Sequence, residues 1–268
     1  MRYGNYVGQT AGQAPDYLQC NIVILPERYA SDFLLFCLNN PKPCPLVHVS
    51  KPGEFDLKPL GEVDIRSDVP TYRVFNAGKL EAEISDISLL WQDDLVTFVL
   101  GCSFTFEEAL MQRGFRVRHI EQGSNVPMFN TNIETMAGGI FSGPLVVTMR
   151  SFKLNDIPKV FDISTKYPHA HGAPVYWGDP RNIGINDLAR PDYGDPVDVP
   201  DDEVPVFWAC GVTPQAAIAK VKPSLTITHA PGCMLVTDLP SKVAPEVQIS
   251  LQNFWNEADA RPIKNVVK

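Results

Sequence analysis

The sequence predicts an α/β protein: a mixed-sheet, layered α/β core with an internal pseudo-duplication and a smaller inserted α+β domain. Three observations carry this. Apolar runs of strand length alternate with stretches of helical periodicity through most of the 268 residues. Gly101 to Ala109 (GCSFTFEEA) and Ala209 to Ala217 (ACGVTPQAA) both fit Cys-x-x-Thr-x-Glu/Gln-x-Ala, and each lies where an apolar run meets a helix start. A fainter echo follows each, Gly143 to Thr148 (GPLVVT) and Gly232 to Thr237 (GCMLVT). The two copies flank residues 121–200. This places a discontinuous core domain at 1–120 and 201–268, with 121–200 inserted.

The elements follow in order. Cys20 to Leu25 reads as a strand ending at Pro26, and Arg28 to Asn39 as a helix stopped by Asn40 and Pro41. Leu46 to Val49 is a strand, and 50–70 a surface connection rich in Pro, Gly and Asp. Tyr72 to Phe75 and Leu80 to Ile84 form a hairpin around Asn76 to Gly78. Asp86 opens an amphipathic helix through Trp91 to about Leu100. In the first repeat, Thr105 and Glu108 have capping-box spacing, and Gly114 closes the helix. Arg116 to Ile120 reads as a strand, 121–132 as an amide-rich loop, and Leu145 to Arg150 as a strand. Asp156 caps a helix to Lys166, ended by Pro168, and Ala173 to Trp177 is a strand. A long loop, 178–204, precedes the strand Val204 to Ala209. In the second repeat Thr213 is the cap, with Pro214 at the first helical position. Leu225 to Thr228 and Met234 to Thr237 are strands. Asn253 to Ala258 has helical character in a polar tail.

Composition narrows the function. Hydrophobic content of 44% and charged content of 20% fit a globular protein with a sizeable core. A net charge of −8 without a basic block argues against nucleic acid as a partner. The longest apolar stretches are too short to span a bilayer, and the N-terminus lacks the apolar core of a secretory signal. Six cysteines, most of them inside apolar runs, read as reduced thiols, which points to a cytoplasmic compartment. The sequence indicates no cofactor and leaves a divalent metal open. His169 and His171 stand two apart without a third ligand, so no metal residues are assigned. No GxGxxG or Walker sequence indicates a nucleotide. A homo-oligomer is left open.

A helix start presents free backbone N–H groups and the positive end of a dipole. Two starts facing one crevice would bind a small anion with two carboxylates. Each candidate has an ordinary structural alternative. His229, at a strand end before Ala-Pro-Gly, is the first acid/base candidate, with a satisfied buried histidine as the alternative. Cys102 and Cys210 precede helix starts, where a thiol pKa can fall, against the usual role of buried cysteine as a small apolar packer. Glu107 is an acid candidate or a dipole-favoured first-turn charge. Thr105, Thr213 and Gln215 would present donors at the helix starts, or simply cap them. Arg118 would clamp a carboxylate or be solvated, and His119 would act as an acid/base or bind substrate, or sit in the core. Asn125, Thr131 and Asn132 suit substrate hydrogen bonding or turn formation. His171 is a weaker acid/base candidate.

A set of runs in order resembles one family. They are Gly8 to Gly12 (GQTAG), Phe33 to Phe36 leading to Asn40 to Pro45 (NPKPCP), Gly101 to Phe104 with Glu107 to Ala109, and Arg118 to Ile120. They continue with Asn125 to Met128 (NVPM), Thr131 and Asn132, His171 to Pro174 (HGAP), and Gly178 to Pro180. The last are Phe207 to Gln215 (FWACGVTPQ) and Ile227 to Gly232 (ITHAPG). Together they resemble the bacterial hydro-lyase family that also supplies one domain of the mitochondrial D-glutamate cyclase, over about residues 4–239. The resemblance implies a hydro-lyase acting on a small amino dicarboxylate, D-glutamate closing to 5-oxo-D-proline with loss of water, or the reverse. Two alternatives stay open: a lactam or cyclic-imide hydrolase, and a non-catalytic small-carboxylate binding protein. The partner in each case is a small carboxylate.

Overall fold

A computed structural model describes residues 4–242. The expected helix at 253–258 lies outside the described residues. In chain order the elements are β1 (Tyr17–Pro26), α1 (Glu27–Asn39), β2 (Leu46–Val49), β3 (Tyr72–Asn76), β4 (Lys79–Ile84), β5 (Leu95–Gly101), α2 (Phe104–Met111) and α3 (Arg118–Glu121). They continue with β6 (Met128–Glu134), β7 (Pro144–Phe152), α4 (Ile157–Ser164), β8 (Tyr176–Trp177), β9 (Val204–Ala209), α5 (Thr213–Val221), β10 (Thr226–His229) and β11 (Leu235–Pro240).

The class is α/β, with two sheets. One has the order β2-β5-β1-β10-β3-β4, with β11 also pairing β1; the other has the order β6-β7-β9-β8. The expected mixed pairing gives way to antiparallel pairing throughout the described strands. Strand β9, next to the second repeat, pairs with β7, so the repeats sit at the ends of strands in different sheets.

Alternation along the strands builds the layers, because successive side chains point to opposite faces. Leu18, Cys20, Ile22 and Ile24 of β1 pack on Leu57, Leu60, Val63, Ile65 and Tyr72. On the opposite face Val23 and Leu25 meet Phe33, Phe36 and Cys37 of α1 and Ala217 and Ile218 of α5. In the second sheet Val206 and Trp208 pack with Phe106 and Leu110 of α2 and Val160 of α4. Phe207, Val147 and Met149 face Ile183 and Ile185.

Three local expectations are corrected. Residues 86–100 are not one helix: a 3-10 turn at Ser88–Leu90 precedes β5. All seven positions of β5 are buried between two neighbouring strands, and Leu89 is fully exposed, so the apolar run belongs to a sheet interior and not to one helical face. Residues 118–121 form a short helix where a strand was expected, which turns His119 inward. Thr105 and Thr213 lie inside α2 and α5; the capping positions are Ser103 and Val212, and neither helix has a side-chain cap bond. In each repeat the chain passes from strand to helix directly through the cysteine, whose carbonyl accepts the first helical-turn N–H.

Candidate functional site

The two repeats have the same geometry. The Cys102 carbonyl accepts from Thr105 N at 3.2 Å, and the Cys210 carbonyl from Thr213 N at 3.0 Å. The Cys210 sulfur accepts from Val212 N at 3.4 Å, and the Cys102 sulfur accepts from the Phe104 amide. The N–H groups of Ser103 and Gly211, one residue after each cysteine, have no hydrogen-bond partner among the described residues. All of Cys102, Ser103, Cys210 and Gly211 line one cavity of about 240 Å³. Drug-sized sites occupy roughly 300–1,000 Å³, so this one suits a smaller molecule.

Two glycines allow the close approach. A Cβ on Gly211 would lie 2.3 Å from Asn21 Nδ2, and one on Gly101 would lie 1.6 Å from the His169 carbonyl oxygen. Asn21 Nδ2 in turn donates to the Gly101 carbonyl at 3.0 Å, which ties the two turns together.

Two histidines line the same cavity with opposite tautomers. The edge of β1 is shared: β11 pairs with it near Tyr17 to Cys20, and β10 at Val23 and Ile24. The gap leaves the Ile22 amide to donate into His229 Nδ1 at 3.2 Å. That nitrogen must use its lone pair, so the neutral ring carries its proton on Nε2. His171 Nδ1 lies 2.8 Å from the Lys42 carbonyl oxygen, which only accepts. The ring therefore donates there, and its Nε2 is a bare lone pair. His171 adopts φ 73°, the left-handed region that costs a non-glycine residue, so the turn holds this ring at the expense of backbone strain. Burial is the main cause that lowers both pKa values to about 4, so both rings are neutral at pH 7.

The thiols move the other way from the sequence expectation. Burial pushes Cys102 up to about 12 and Cys210 to about 11, and the sulfur-directed amides offset only part of this. Both stay protonated near neutrality.

Behind the cavity lies a buried charged network. Arg150 Nε donates to Glu107 Oε1 at 2.9 Å, and its Nη2 reaches the same oxygen. Nη1 donates to Thr148 Oγ1 at 2.8 Å and Nη2 to Ser103 Oγ at 3.0 Å. His119 Nε2 lies 3.2 Å from Glu107 Oε1. Burial would raise the Glu107 pKa, but Arg150 and His119 together hold it down to about 2. Of the residues lining the cavity, none of those described is acidic, and Arg73, bonded through Nε to Glu83 at 2.7 Å, is a cation.

Among the candidates chosen from sequence, Cys102, Cys210, His171, His229, Asn125 and Gln215 meet at this cavity. Thr105 and Glu107 instead line a separate cavity of about 210 Å³. Arg118 is engaged by Glu203, its Nη2 lying 2.6 Å from Oε1. Thr213 Oγ1 ties α5 to β7 through Val146, accepting from its amide at 3.0 Å. Thr131 Oγ1 donates to the Leu145 carbonyl at 2.7 Å, and Asn132 is exposed. Sequence reasoning missed Asn21, Arg73, Ser103, Thr148 and Arg150. Ser103 carried a signal as the neighbour of Cys102, and Thr148 as the last residue of the Gly143 to Thr148 echo. Among the described residues no group of three or more His, Cys, Asp or Glu is placed to hold a metal, and no helix is long and apolar enough to cross a membrane.

Comparison with known proteins gives a consistent result. The D-glutamate cyclase family profile matches residues 96–238. A protein named "Putative hydro-lyase" from Bordetella pertussis is 57% identical over 239 residues, 89% of this chain and 86% of its own. One of the same name from Corynebacterium urealyticum is 55% identical over 229 residues, 85% of this chain and 87% of its own. A third, from Bradyrhizobium diazoefficiens, is 55% identical over 240 residues, 89% of each chain. Among solved structures, a nitrogen repressor-like protein from Methanococcus jannaschii aligns with 9% identity over 86% of this chain and 93% of its own, at a TM-score of 0.37 that carries no argument.

Proposed function

Because the chain belongs to the D-glutamate cyclase family, we propose that it is a hydro-lyase that closes D-glutamate to 5-oxo-D-proline and water. The observation that carries this reading is the pair of neutral histidines of opposite tautomer at one small cavity lined by hydrogen-bond donors.

Lactam formation makes a bond from the amino nitrogen to the carbon of the γ-carboxylate and breaks a bond from that carbon to oxygen. The ammonium gives up two protons and the departing oxygen collects two, leaving as water. His171 Nε2, with its free lone pair, takes protons from nitrogen and passes them to oxygen. Its low pKa in the open cavity rises as a dicarboxylate enters, because nearby negative charge favours the imidazolium.

His229 has a different task. A neutral imidazole that surrendered its proton would become a strongly basic imidazolate. Its Nε2–H serves instead as a fixed hydrogen-bond donor to the oxyanion that forms at the γ-carboxyl carbon. The Ser103 and Gly211 amides, at the positive ends of α2 and α5, add donors of the same kind. Arg73 supplies charge for a substrate carboxylate. Cys102 and Cys210 act as neutral walls that shape the turn, since lactam closure needs no covalent step. Holding amine and carboxylate together in so small a space supplies the orientation the reaction needs.

The test is incubation with D-glutamate and, separately, with 5-oxo-D-proline, followed by chiral chromatography, with and without a divalent metal. Interconversion that is lost in His171→Ala supports the reading. No change in either compound under any condition overturns it.

A further inference from the structure

Arg150 does not line the cavity, yet it sets the polarity of two side chains that do. A guanidinium only donates. Nη1 gives a hydrogen bond to Thr148 Oγ1 and Nη2 gives one to Ser103 Oγ, so both hydroxyl oxygens have already accepted. Each hydroxyl hydrogen must then point elsewhere, and no acceptor among the described residues takes either one. Both residues line the cavity and both are almost fully buried.

We propose that Arg150 is a positioning residue that turns Ser103 and Thr148 into a paired hydroxyl clamp for one carboxylate of the substrate, a specificity device that rests on the cyclase reading. The clamp draws its halves from different elements: Ser103 precedes α2, and Thr148 lies on β7, two residues from Arg150 on the same strand face. The guanidinium is held in orientation by aromatic rings, its carbon 5.1 Å from the centroid of Phe106 and 5.3 Å from that of Trp208. Nε and Nη2 bind Glu107, which balances the buried charge. At this wall the cavity therefore meets two oriented dipoles instead of the Arg150 cation. A carboxylate has the paired lone pairs to accept both. Lysine could not replace the arginine, because one ammonium does not reproduce the planar fork.

The test uses the full chain and two probes, 5-oxo-D-proline and 2-pyrrolidinone, which share the lactam ring but differ in the carboxylate. Ser103→Ala and Thr148→Val each remove one hydroxyl. Each is expected to weaken 5-oxo-D-proline binding roughly tenfold or more, with 2-pyrrolidinone unaffected. With D-glutamate, KM rises while kcat stays within a few-fold, as expected for contacts equal in ground and transition states. Arg150→Lys, with its charge kept opposite Glu107, gives the same rise in KM. If Arg150→Lys fails to fold, the two hydroxyl variants still decide. Unchanged affinity for 5-oxo-D-proline in both of them, with wild-type turnover intact, overturns the clamp and leaves the cyclase reading standing. Wild-type protein that neither binds 5-oxo-D-proline nor converts D-glutamate overturns both.

Discussion

His171 and His229 line one cavity with opposite tautomers, because Nδ1 of His171 faces the carbonyl oxygen of Lys42 and Nδ1 of His229 faces the amide of Ile22. Backbone groups far from either histidine in sequence thus decide which ring nitrogen donates and which accepts. Two main-chain contacts thus present one ring to the cavity as an acceptor and the other as a donor.

Replacement of either ring separates those roles. His171→Ala is expected to lower kcat by roughly 10²–10⁴-fold with the fold intact, as for a general base. His229→Ala also leaves the Ile22 amide buried without an acceptor, at a cost of about 1–3 kcal/mol. Turnover assays beside thermal melts check this. A His229→Ala variant as stable as wild type would contradict the assignment of His229 Nδ1 as an acceptor.

Stability should fall in acid in two stages. The folded pKa of each histidine, about 4, lies below the ordinary 6.5, so the unfolded chain binds more protons between these values. The contribution is complete above pH 6.5 and is lost as pH drops toward 4, roughly 3 kcal/mol for each ring. Glu107, depressed from 4.5 to about 2, contributes above pH 4.5 and loses its contribution as pH falls through 2. Urea midpoints from pH 8 to pH 3 read the first stage and the start of the second. A flat profile between pH 7 and pH 4.5 would exclude neutral buried rings.

Cys102 and Cys210 are expected to resist alkylation by iodoacetamide at pH 7.5, because burial holds them near 12 and 11. Cys102→Ala and Cys210→Ala should each keep turnover within about tenfold of wild type, a loss of no more than about 1.4 kcal/mol in transition-state stabilisation. Rapid modification of one thiol that abolishes activity would restore a nucleophilic cysteine.

Gly101→Ala tests the close approach of two backbones. The new methyl would overlap the His169 carbonyl, at 1.6 Å, so the 168–171 turn must move. The expected cost is about 3 kcal/mol or more, above the usual range for an overpacked core. Turnover should fall further than in Cys102→Ala, since His171 is carried on that turn. A melting temperature equal to wild type would show that the turn is free to shift.

Part of the site was legible because it is local. The spacing of cysteine, threonine and acid or amide in 101–109 and 209–217 identified two strand-to-helix turns, and they share one hydrogen-bond pattern. The same spacing misled on capping. Thr105 and Glu108 fit a capping box in sequence, but the turn begins at the cysteine carbonyl and leaves the threonines inside their helices. The run ending at Leu100 misled for a related reason: residues buried on both faces of a central strand carry no alternation to distinguish them from a helix.

The sequence by itself determined the family, the alternation of strands and helices, and the two turns that hold Cys102 and Cys210, since each depends on residues close together in the chain or on extended runs of identity. Tertiary structure alone decided that both turns reach one cavity, which ring nitrogens of His171 and His229 carry protons, and that Arg150 lies behind Ser103 and Thr148. Those outcomes depend on contacts such as Arg150 with Glu107, 43 positions away, and Ile22 with His229, 207 positions away. Hydrogen-bond polarity and burial are properties of the neighbours that folding brings together, and the spacing of residues along a chain does not encode them.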